Sequence, residues 1–155
     1  MEGISSRMST TYGTPVQDFI IPEDYNSIEE SPSSSVNWFQ ERLDLSDEYV
    51  SKVINVREDL FSNWKNYHSG LTPSQIEKVK TFSITLTHLL SYLNFRHDLM
   101  MNILQNSSES PHHELTPLTP PWIGTSLKSY IESQGVSGLE EVDRWVQGLR
   151  WSDPF

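Results

Sequence analysis

The side chains able to do chemistry are few in kind: 5 histidines, 21 acids and no cysteine. The densest set of metal-ligand types is His112, His113 and Glu114. Adjacent residues in a proline-rich stretch point in different directions, and no second ligand pair stands at zinc spacing, so no metal is expected. His88 and His97 lie in or near a long apolar-periodic stretch, where a satisfied or solvated histidine is the ordinary reading. Glu140 and Glu141 fall in a helix-start signature rather than a catalytic pair. There is no glycine-rich phosphate loop, no Gly-x-Ser-x-Gly elbow and no His-Glu-x-x-His pair. Neither catalytic residues nor a cofactor is expected, and the chain does not read as an enzyme.

Charge and composition narrow the choice further. The 155 residues carry a net charge of −10, so the average surface repels nucleic acid and anionic membrane. Any DNA contact must come from a local exception. The apolar stretches are far too short to span a bilayer, and Met1 to Ser5 lack a basic region followed by an apolar run. With no cysteine to oxidise, a cytoplasmic protein with no membrane contact is the expectation.

The elements that would position a site are helical. Residues 1–35 hold six acids against Arg7 alone and end in Ser31-Pro32-Ser33-Ser34-Ser35, which predicts a disordered acidic arm. A helical domain is expected over 36–105. In it Ser46 caps a short helix carrying Tyr49, Val50, Val53 and Ile54, and a second short helix follows with Leu60, Phe61 and Trp64, leaving Asn55 and its neighbours for the bend. Trp64 is assigned to the core. Thr72-Pro73-Ser74-Gln75 opens a long helix with a stripe of Ile76, Val79, Leu86, Leu89, Leu90 and Leu93, broken near Asn94 and resuming to Leu104. Residues 106–121, with four prolines, predict a linker. Over 122–155 a short helix on Leu127, Tyr130 and Ile131 stops at Gly135, and Ser137-Gly138-Leu139-Glu140 is read as the cap of a last helix. The fold class is all-α.

The stretch Leu43 to Lys65 resembles the helix-turn-helix of the Xre family of phage-repressor-like DNA-binding proteins. Leu43, Leu45, Ser46, Val50, Val53, Ile54, Val56, Phe61, Ser62 and Trp64 occupy the matching places without a gap. The resemblance implies that Asp47 on the first helix and Arg57, Glu58, Asp59, Ser62, Asn63 and Lys65 on the second face double-stranded DNA. The chain departs from the family in placing Asn55 where Gly is usual, Asp47 where Gln is frequent, and acids at 58 and 59. From Glu41 to Lys65 six acids face four bases, which weakens phosphate binding.

The C-terminal part is similar to the partner-binding domain of antitoxins of the Xre/MbcA/ParS type, with Gly124, Leu127, Tyr130, Ile131, Glu141, Val142, Val146 and Gly148 on the pattern. That likeness implies only that this part binds a toxin-like or other protein partner; Val142, Trp145, Leu149 and Trp151 are the residues expected to form the patch. The same residues could instead cover the long helix. A homodimer is expected, because one module reaches too few phosphates for a regulator. Two functions stand: an Xre-type DNA-binding or antitoxin-like regulator, and an acidic protein-interaction module that keeps the scaffold without DNA affinity.

Overall fold

The computed structural model describes residues 31–107 and 119–152, with side chains placed through Leu149. Seven helices are present among them and no strand: α1 Pro32–Leu43, α2 Asp47–Ile54, α3 Glu58–Tyr67, α4 Pro73–Tyr92, α5 His97–Gln105, α6 Leu127–Gln134 and α7 Val136–Ser152. Among the described residues no helix is long and apolar enough to cross a membrane.

Helix α1 corrects the boundary at residue 35. Val36, Phe39 and Leu43 recur at helical spacing and are buried, and Pro32 occupies a first-turn position where its missing N–H costs nothing. Ser33 and Ser35, part of the run read as disordered, are buried as well. Their small side chains serve close packing, so the serine-rich composition does not mark disorder here. The rest of the expected arm lies outside the described residues.

Local chemistry then fixes each bend. Ser46 Oγ accepts the Tyr49 N–H at 3.0 Å and starts α2. Asn55 ends it at φ 60°, ψ 52°, while the Val56 N–H reaches back to the Ser51 carbonyl at 2.9 Å. Asparagine tolerates this left-handed conformation better than other residues with a side chain, so the bend forms without glycine. At α4 the Thr72 and Gln75 side chains each bond the other's backbone N–H, at 3.1 and 2.9 Å. The expected break at Asn94 is present: Asn94 and Phe95 both take positive φ before α5 begins.

One further expectation needs correction in the last third of the chain. Helix α7 starts at Val136, directly after Gly135, and the Ser137 hydroxyl donates to the Gln134 carbonyl instead of capping a new helix. Gly135 alone makes the turn, at φ +67° and with the Val53 carbonyl 3.3 Å from where a Cβ would stand. The expected linker 106–121 is described only at its ends. There Thr119 to Pro121 are half-buried and lead into a turn at Trp122, which is itself buried.

The core is continuous across the segments that the sequence divides. Leu139, Val142 and Val146 of α7 join Leu86, Leu89 and Leu90 of α4 in one buried cluster that also takes Val36 and Phe39 from α1. Helix α4 packs on α7 and α1, and α2 packs on α3 and α6. The Tyr49 hydroxyl donates to the Lys128 carbonyl at 2.8 Å, and Lys52 meets Glu132 at 3.1 Å, so α2 is tied to α6 by polar bonds as well.

Candidate nucleic-acid interface

Helix α3 has two faces with different duties. Phe61 and Trp64 point inward, both buried, their rings stacked at 6.2 Å. Arg57, Glu58, Asp59 and Asn63 are exposed at its start and outer face, and Tyr67 near its end is 73 % exposed. With Asn66, these are the exposed residues of α3 and its N-cap.

Three of the expected contact residues are instead bound to each other. The Asp47 carboxylate accepts from Ser62 Oγ at 2.6 Å and from Gln40 Nε2 at 2.9 Å, and Lys65 Nζ lies 2.7 Å from it. Lys65 also donates to Gln40 Oε1 at 2.7 Å and to Asn37 Oδ1 at 3.4 Å. Partial burial pushes the Asp47 carboxyl up, but hydrogen bonds from Lys65, Ser62 and Gln40, with the lysine charge, outweigh it and hold the group below its ordinary range. Asp47, Ser62 and Lys65 therefore act as struts between α1, α2 and α3.

Gln40 completes this arrangement and was not among the sequence candidates. It is buried, and Nε2 bonds the Leu45 carbonyl at 3.1 Å as well as Asp47, while Oε1 takes the lysine. Both amide donors and the acceptor are thus used. A glutamine on an unforeseen helix gives no sequence signal for such a role.

At the first turn of α3 a second relationship is built. Arg57 Nη2 donates to Asp59 Oδ2 at 2.7 Å, and the other oxygen, Oδ1, accepts the Leu60 N–H at 2.9 Å. Glu58 and Asp59 sit where the helix presents its positive end, which suits acids.

The C-terminal set divides. Val142 is fully buried against α4 and is not a surface residue, which corrects its assignment to partner contact. Trp145 covers the protein's own aromatic residues: its ring lies edge-on to Trp122 at 5.2 Å and to Tyr92 at 6.0 Å. Leu149 is half-buried, and the Trp151 side chain lies outside the described residues. Beside them His88 Nδ1 stands 2.6 Å from Asp143 Oδ1, linking α4 to α7. His97 donates from Nε2 to the Arg42 carbonyl at 3.2 Å. His112, His113 and Glu114 lie outside the described residues, and among those described no group of three His, Cys, Asp or Glu is placed to hold a metal.

No protein family matches this chain, and no curated protein is significantly similar to it.

Proposed function

We propose that the chain is a DNA-binding or antitoxin-like regulator of the helix-turn-helix type, with α3 as its recognition helix. The observation that carries this reading is the partition of α3. Its inner face is packed by Phe61 and Trp64 and its flank is bonded through Asp47, Ser62 and Lys65, so the helix is anchored while Arg57 and Asn63 stay exposed. Two short helices joined by a tight bend can present such a face to a major groove, where arginine pairs with guanine and asparagine with adenine. One module offers few phosphate contacts, so the regulator acts as a homodimer. Fluorescence anisotropy with pooled genomic duplexes at fixed low salt tests the reading, with saturable binding by wild type and its loss in Arg57→Ala as the expected result. Absence of binding to every duplex overturns it.

A second reading is favoured by electrostatics. Lys65 is neutralised by Asp47 and Arg57 is paired with Asp59, so the face offers little charge to phosphate. On this reading the same face docks on a protein. A pull-down in which Arg57→Ala or Tyr67→Ala abolishes capture of a defined partner, with DNA binding absent in wild type, would select it.

A further inference from the structure

We propose that Asp59 is a positioning residue that fixes the Arg57 guanidinium for reading a guanine edge. The inference rests on the DNA reading above. Its basis is the double use of one carboxylate. Oδ1 is fastened to the helix by the Leu60 N–H at 2.9 Å, and Oδ2 holds Arg57 Nη2 at 2.7 Å. The acceptor of the arginine is therefore a post fixed to the backbone of α3, not a second mobile side chain. A guanidinium carries five N–H donors, and the bond to Asp59 engages one, leaving the others for a base. The arginine side chain remains 75 % exposed.

An exposed ion pair adds little to stability, so its consequence lies in preorganisation. An arginine already held in place loses less freedom on docking, and two parallel donors at a set angle discriminate guanine better than a free one. Asp59 then does two opposed things: it repels phosphate and sharpens the reading of a base. Its neighbour Glu58 is exposed and its side chain takes part in no hydrogen bond among the described residues, so it does only the first. The two adjacent acids become controls for each other.

The test uses the full-length protein and a duplex library with a randomised core, followed by anisotropy titrations at one salt concentration. Wild type is expected to enrich a motif with a guanine whose replacement by adenine weakens binding about tenfold, a penalty that Asp59→Asn reduces to about twofold. Glu58→Gln should strengthen binding to all duplexes and keep the full penalty. Arg57→Lys, which lacks the fork, should remove the penalty, and Asp59→Asn should then change it no further. Asp59→Asn retains a carbonyl able to accept from Leu60, and an unchanged helical circular dichroism spectrum checks that α3 is intact. If wild type enriches a motif and Asp59→Asn keeps the whole guanine penalty, Asp59 only repels and the proposal fails alone. If wild type enriches no motif, the DNA reading fails and the proposal with it.

Discussion

Asp47 and Lys65 stand 2.7 Å apart, with 29 % and 14 % of their side chains exposed, and each is hydrogen-bonded to Gln40. One is the first residue of α2 and the other lies in the last turn of α3, so the pair fixes the placement of α3 on the rest of the fold.

Removing the carboxylate should therefore loosen α3. Asp47→Ala leaves Ser62, Gln40 and Lys65 each short of an acceptor, and a loss of about 1 to 3 kcal/mol is expected. Urea denaturation followed by circular dichroism measures it. An unchanged midpoint would show that the bonds carry no stability.

Acid should reproduce that loss. The folded carboxyl of Asp47 titrates below its ordinary value of 3.8, so its contribution is complete above that value and is lost as pH falls through the lower, folded one. The stability difference between wild type and Asp47→Asn should shrink on acidification below pH 3.8. A difference constant with pH contradicts the assignment.

Trp64 is 5 % exposed and stacked on Phe61. Trp64→Ala should cost about 3 to 5 kcal/mol, enough to unfold a marginal domain, whereas Trp64→Phe should cost much less. Thermal melts of the two variants decide it, and equal melting points would place the ring outside the core.

Tyr49 tests the bond between the two halves of the chain. Its phenol is raised far above its ordinary range by burial first and by the Glu132 charge second, so it stays a donor to the Lys128 carbonyl at any working pH. Tyr49→Phe should cost about 1 kcal/mol by removing that second hydrogen bond to the carbonyl. Faster amide exchange confined to α6 and the start of α7 is the expected signature.

Gly135 is required twice, by its φ of +67° and by the Val53 carbonyl 3.3 Å from the missing Cβ. Gly135→Ala should destabilise by about 1 to 3 kcal/mol, read from the denaturation midpoint.

Much of this architecture is legible in the sequence because it is written in local chemistry. The Ser46 cap, the Thr72–Gln75 box, the Asn55 bend and the Asn94 break each depend on a few neighbouring residues, and each is present in the fold. Helix α1 is not legible, because its first turn is composed like a disordered segment and its helical pattern begins only at Val36. The misreadings at the site arise from distance along the chain. The resemblance places Asp47, Ser62 and Lys65 on the outside of a motif, but it cannot see that Gln40 arrives from another helix and ties two of them down. Val142 differs: a partner surface and a cover for the long helix are both open from the sequence, and the structure has it buried in the core with Leu86 and Leu89 of α4.

The shared core of α4 and α7 makes the chain a candidate for reconstitution from two pieces. Leu139, Val142 and Val146 bury against the first part of the protein, and Tyr49 and Lys52 reach across to α6. A backbone cut between Ser107 and Thr119 would not release a free-standing C-terminal domain. The fragments should instead find each other and refold as one body.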